Sequence, residues 1–237
     1  MSLLQAGNQK LGSVANWSIC AGTTCPGQTE LCARHCYCKK GNFRRPNVKS
    51  SHMDNTLESA KIALGCCTDM IQEIKRKKVE VVRIHVSGDF FSAPYIRGWI
   101  KIANECPDTT FYAFTRSWRK TRMMKALTEL ADLPNVHLWW SVDAETHELD
   151  GAPPKLKGVR VAYMQVTDDE KVPAYVDLVL RVKRDTLVKF ASNRLVCLAE
   201  NGMEYERKMT CSRCKICFRK IKVPRKKRSK CLSSQPR

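Results

Sequence analysis

The chain has 237 residues, 43% apolar and 27% charged, which is enough to bury a sizeable core and is not the composition of a disordered segment. Its formal charge of +19 favours polyanionic partners, and no apolar run is long enough for a membrane-spanning helix. Residues 1–16 lack a basic stretch followed by an apolar one, so a reducing cytosol is expected and the thirteen cysteines should be free or metal-bound rather than paired as disulfides.

Residues 1–45 read as loops around cysteines, punctuated by Gly7, Gly12, Gly22, Pro26, Gly27 and Gly41. Within them a short helix over Thr29–Tyr37 is expected to set Cys32 and Cys36 one turn apart on one face. From Asn47 to about Lys78 the pattern is helical, and Lys75-Arg76-Lys77-Lys78 suits a helix C-terminus. A β-branched strand then covers Val79–Val86. Pro94 opens a helix reaching about Glu105. Thr109–Thr115 is a strand, Arg119–Ala131 a helix, and Val136–Val142, Val159–Val166 and Ala174–Val182 are further strands. Strands alternating with helices imply a parallel sheet of βαβ units. The expected fold class is α/β, a partial (β/α) barrel with cysteine-rich loops at both chain ends; an open doubly wound sheet is the alternative. Residues 1–218 read as one domain. Residues 219–237 read as a basic flexible tail, with eight of the twelve residues from Arg219 to Lys230 being Lys or Arg.

The cysteines carry the chemistry. Cys211-x2-Cys214-x2-Cys217 can wrap three corners of one centre, and Cys197 is the natural fourth ligand. Three thiolates two residues apart with a remote fourth suit a [4Fe–4S] cluster, and a structural zinc tetrad is the rival. Near the start, Cys25, Cys32, Cys36 and Cys38 define a second candidate metal site, with Cys20 close by; spacing alone does not choose among them, and the two end groups could share one site. Cys66, Cys67 and Cys106 read as small buried hydrophobes.

The strand ending in Ser87-Gly88-Asp89 marks a second feature. Val82, Ile84 and Val86 should share one face, and Arg83, His85 and Ser87 the other. Ligands of parallel sheets bind at the carboxyl ends of the strands. That rim would present Asp89, Arg116 or Ser117, Ser141 or Asp143, and Gln165 or Thr167. His85 is read equally as a buried hydrogen-bonding group, and Asp89 as a helix cap. Trp139, Trp140, Phe111, Tyr112 and Phe114 read as core residues.

Gly7-Asn8-Gln9-Lys10-Leu11-Gly12, Thr24-Cys25-Pro26-Gly27, Cys36-Tyr37, Arg83–Ser92, Phe111–Thr115 and the terminal cysteine run together resemble the phage gene product 88 family over nearly the whole chain. That resemblance implies a protein of a phage or mobile element, placed in the host cytoplasm. A more distant resemblance is to radical S-adenosylmethionine enzymes, which set a C-x3-C-x2-C loop before a partial (β/α) barrel. Here Cys32-x3-Cys36 keeps the first interval, but Cys38 follows after one residue instead of two. The resemblance implies an iron–sulfur cluster on the N-terminal thiols. It also implies S-adenosylmethionine held at Ser87, Gly88, Asp89, Ser141 and Asp143, with the basic surface recruiting a nucleic acid or nucleotide. The competing expectation is a non-catalytic, metal-containing nucleic-acid-binding or regulatory protein.

Overall fold

The computed structural model describes residues 2–182, 195–198 and 209–219. Residues 220–237 of the expected tail, and Cys231, lie outside the described residues. Seven strands form one sheet: β1 (Ala15–Trp17), β2 (Val81–Ile84), β3 (Thr110–Thr115), β4 (Val136–Val142), β5 (Arg160–Gln165), β6 (Leu178–Arg181) and β7 (Leu195–Val196). Every pairing is parallel, and each strand lies beside its successor in sequence. A doubly wound sheet reverses its strand order at a switch point. This sheet has none, so that alternative does not apply. The strand order leaves β1 and β7 as opposite edges, and the described residues form no closed barrel.

One face of the sheet carries helices α2 (Pro46–Ala63), α3 (Thr68–Arg76), α4 (Ala93–Glu105) and α5 (Thr121–Ala131). The main core lies beneath them and includes Trp17, Ile84, Trp99, Phe111, Leu127, Leu138 and Trp140. The other face is lined by Tyr112, Trp139, Ala162 and Leu178, all essentially inaccessible. Parallel strands buried on both sides read as near-continuous apolar runs, which is why β2 to β6 were visible in the sequence. The aromatic strand residues are core: Phe111, Tyr112 and Trp139 are 0% exposed.

Several boundaries differ from expectation. The helix expected from Asn47 to Lys78 is two helices, because Gly65 takes φ +85° and breaks the chain between Leu64 and Cys67. Cys66 is therefore exposed at this break, whereas Cys67 and Cys106 are buried as expected. Strand β1 lies inside the segment read as loop; three residues give too short an alternation to detect. Helix α6 (Ala144–Asp150), capped by Asp143, and edge strand β7 also escaped detection. The short helix around Cys32 is α1 (Glu30–Arg34), and Cys36 lies beyond it as the cap of a 3-10 turn. Cys32 and Cys36 thus do not share a helix face.

Alternation along β2 fails after Ile84. His85 adopts φ +64°, which rotates the next residues by one face. His85 turns to the helix side, beside Phe90 and Tyr95, while Val86 joins Leu11, Val14, Tyr112 and Phe218 on the other face.

Candidate metal centres

The N-terminal cysteine loop lies over the carboxyl rim. The Ile19 amide donates to the Ser87 carbonyl at 3.0 Å, and the Tyr37 hydroxyl donates to the Val86 carbonyl. Gly88 has φ +83°, and a Cβ there would come 2.3 Å from Ile19 Cγ1 and 2.7 Å from Thr24 Oγ1. Gly27 passes so close to β3 that a Cβ would come 2.0 Å from the Arg116 carbonyl oxygen. Both glycines let the loop lie directly on the strand ends.

A buried polar network fastens it there. The Asp89 carboxylate accepts from the Phe90 amide at 2.7 Å and the Arg116 amide at 2.8 Å. Ser92, not Asp89, caps α4. The Arg116 guanidinium pairs with Asp143 and donates to Thr146 Oγ1 at 3.0 Å. Asp143 also accepts from Thr29 Oγ1 at 2.8 Å and from both the amide and the hydroxyl of Thr146. Thr29 in turn caps α1 by accepting from the Cys32 amide. One chain of contacts therefore joins the ends of β2, β3 and β4 to the turn that carries Cys32. The Glu145 carboxylate receives the Glu30 and Leu31 amides at the first turn of α1, where a negative charge is favourable.

Four thiols sit on this platform and act on one another. Burial pushes the Cys25 thiol up to about 12, and Asp89, Cys32 and Cys36 add to it. Burial also raises Cys32, against the nearby Arg116 charge. Cys38 keeps its proton and donates it to Cys36, which is held below the usual thiol range. The buried Ser87 hydroxyl, with no oxygen or nitrogen partner, lies beside Cys38. Burial pushes Asp89 itself up to about 6, while Thr115, Ser117 and two amides restrain it. Burial would raise Asp143 too, but Arg116, Thr146 and Thr29 outweigh it and hold its carboxyl below the usual range. Ser141 offers its carbonyl to Trp118 Nε1 at 3.2 Å. Of the five rim residues singled out in the sequence, Ser87 and Asp89 meet the thiols closely. Asp143 reaches them through Arg116 and Thr29, and its oxygens are already filled by protein donors.

The C-terminal thiols form a separate assembly on the sheet face opposite the helices. Cys211–Cys214 is a single helical turn, α7, and Lys215 at φ +59° reverses the chain so that Ile216 and Phe218 pack into the sheet. The segment is tied to the N-terminal loop by the Cys211 amide on the Lys10 carbonyl and the Ser212 amide on the Leu11 carbonyl. Trp139 Nε1 donates to the Cys217 carbonyl at 2.8 Å. The Arg160 guanidinium, 3.8 Å above the Trp139 ring, donates to the Ile216 and Cys217 carbonyls. Cys217 is pushed up to about 12 by burial and by Cys211. Arg83 lies 5.4 Å from the Phe114 ring centroid. Burial opposes its charge, but Tyr37, Tyr112, Cys211 and Cys217 outweigh that and raise it. Cys197 follows β7, and its amide donates to the Val179 carbonyl at 2.9 Å. The β6–β7 register pairs Leu178 with Leu195, so Cys197 falls beside Leu180, on the face where Cys214 and Cys217 pack.

Two thiol groups at two places replace the single shared site that the spacing left open. Among the described residues, no three His, Cys, Asp or Glu side chains are arranged to hold one metal ion. A zinc ion would require sulfurs about 3.8 Å apart, from ~2.3 Å bonds in a tetrahedron. A cluster spreads its thiolates over separate irons and sets them wider. Arg160 was not singled out from the sequence, and Tyr37 entered only through the Cys36-Tyr37 motif. For Arg160 the available signal was an arginine at the head of the largely apolar strand β5.

Fold and site define a parallel α/β protein with cysteines at the carboxyl rim and on the face opposite the helices. The chain belongs to the Gene product 88 family, whose model matches residues 2–220. It is 28% identical over 159 residues to the Gene 88 protein of Mycobacterium phage D29, covering 62% of each chain. It is 29% identical over 155 residues to the Gene 88 protein of Mycobacterium phage L5, covering 62% of this chain and 63% of the relative. The matched region therefore spans under two thirds of the length of these relatives. No solved structure matches the chain. No helix among the described residues is long and apolar enough to cross a membrane.

Proposed function

We propose that this chain is an iron–sulfur protein with two thiolate centres, and that the rim centre belongs to a radical S-adenosylmethionine-like enzyme acting on a nucleic acid or nucleotide. The observation that carries the reading is the meeting of Cys25, Cys32, Cys36 and Cys38 over Asp89 and Ser87 at the ends of sequentially ordered parallel strands. The donor set is soft and partly buried, and a guanidinium stands near it, which suits an anionic cluster. When bound, a reduced [4Fe–4S] cluster supplies the electron for cleaving the sulfonium bond of S-adenosylmethionine. Three of these thiols would hold it. Ser87 and Asp89 would bind the cofactor's amino-acid end, and Arg116 with Asp143 would position the loop.

The C-terminal group of Cys197, Cys211, Cys214 and Cys217 is read as structural, because its segment packs Ile216 and Phe218 into the sheet. Zinc is the alternative metal, and it would make the chain a non-catalytic binding or regulatory protein. The test is anaerobic purification with iron, sulfide and zinc analysis, then incubation of the dithionite-reduced protein with S-adenosylmethionine. Iron with acid-labile sulfide and release of 5′-deoxyadenosine is the expected result. Zinc without iron, or full iron loading without any 5′-deoxyadenosine, refutes the enzymatic reading.

A further inference from the structure

From the last residue of α1 to the first turn of α2 the chain carries Arg34, Lys39, Lys40, Arg44, Arg45 and Lys49, all exposed, and no Asp or Glu occurs between Leu31 and Met53. Arg34 is engaged by Glu30, and Lys39 donates to the Ala33 carbonyl at 3.0 Å. Lys40, Arg44, Arg45 and Lys49 have no acidic partner within the segment. A run of exposed cations with no acidic residue among them makes a locally positive surface that attracts anions. The ridge is shaped as well as charged. Two 3-10 turns, Tyr37–Lys39 and Gly41–Arg44, order its backbone. The Tyr37 ring, 51% exposed, meets Phe43 edge-on at 5.5 Å. Its hydroxyl is fixed to the Val86 carbonyl, so the ring is held in place with one side open to solvent. The ridge contains Cys36 and Cys38, and Tyr37 between them is bonded to Val86 at the rim.

We propose that Arg34–Lys49 is a phosphate-binding ridge that takes a single-stranded nucleic acid and leads it to the carboxyl rim. Exposed guanidinium and ammonium groups neutralise successive phosphates, and a fixed, half-exposed aromatic ring offers a base a stacking surface. Duplex DNA would use the same charges without the ring. The assignment rests on the proposed function only in taking the rim as the strand's destination; binding itself does not need the metal centres.

The test compares the full chain with two quadruple variants of equal charge change. One is K39Q/K40Q/R44Q/R45Q. The other is R76Q/R97Q/K125Q/K155Q, which removes four exposed cations elsewhere. Fluorescence anisotropy with a labelled RNA and a labelled DNA strand of about 15 nucleotides is read over a salt series. Four phosphate contacts on a single strand give a log–log salt slope of about −3. The ridge variant should lose about that slope and bind at least about tenfold more weakly at 0.1 M salt, with the control variant near wild type. Preference between RNA and DNA identifies the strand. Equal losses in the two variants, tighter binding of duplex than of single strand, or no binding by the wild type overturns the proposal. Iron content is measured on the same samples. Strand binding by fully iron-loaded protein that releases no 5′-deoxyadenosine supports the ridge while removing the enzymatic reading.

Discussion

Replacing Arg116 by Met should be among the most damaging single changes at the rim. Asp143 is 0% exposed and Arg116 6% exposed, so the variant leaves a carboxylate in the interior without its cation. Removing one partner of a buried pair costs about 3–5 kcal/mol, because the remaining charge is uncompensated. Thr29 and Thr146 still donate to Asp143, which places the expected loss near the lower end, about 3 kcal/mol. Asp143→Asn should cost a similar amount by stranding the guanidinium. The double variant should cost less than the sum by about 1–3 kcal/mol, as expected for directly coupled partners. Without Arg116, the largest influence holding Asp143 down is gone and only the Thr29 and Thr146 donors oppose burial, so its carboxyl rises and the single variant should regain stability relative to wild type as pH falls from 7 to 5. The assay is urea unfolding of the reduced, metal-free chain followed by tryptophan fluorescence, with Trp118 bonded to β4 as a local reporter. A loss below about 1 kcal/mol for R116M, or strict additivity in the double variant, would refute the argument that this pair clamps the cysteine loop.

His85 is buried and its imidazole is pushed down to about 3 by burial and by Arg83, so the folded ring is neutral while the unfolded ring protonates near 6.5. Its stability contribution is complete above pH 6.5 and is lost as pH falls toward 3, by about 2 kcal/mol between pH 7 and 5. His85→Asn, which tolerates the positive φ but does not titrate, should flatten this slope; an unchanged pH profile contradicts the assignment. Cys36 is held low by the Cys38 proton, so in metal-free protein at pH 7 iodoacetamide should modify Cys36 first and Cys25 far later, as read by peptide mass spectrometry. Simultaneous labelling would show that the pair does not share a proton. Gly88→Ala should destabilise by about 2–4 kcal/mol, combining left-handed strain with the clash on Ile19 and Thr24, and should speed alkylation of Cys25. A neutral effect in urea would show that the loop does not rest on Gly88.

The strands β2 to β6 were legible because two-sided burial leaves long β-branched and aromatic runs, and Pro94 marked the start of α4. What stayed hidden depended on partners distant in sequence. Ala15–Trp17 is a strand because it pairs with Val82–Ile84, and nothing in three residues announces that. Asp143 was legible as a rim residue, but its role was not. The role follows from Arg116 and Thr29, which come from different loops. His85 looked like part of an alternating strand until its positive φ moved Val86 to the opposite face. The cysteine groups were visible by spacing. Their division between the rim and the face opposite the helices followed only once the C-terminal turn was seen on Trp139 and Arg160.

The bond from Cys211 to Lys10 joins segments about two hundred residues apart. A sheet ordered β1 to β7 can be laid down strand by strand as the chain leaves the ribosome. Its face opposite the helices, partly covered by Leu11, Val14 and Phe43, is completed by Ile216 and Phe218. A chain interrupted before Ile216 would therefore leave Tyr112 and Trp139 without their covering side chains.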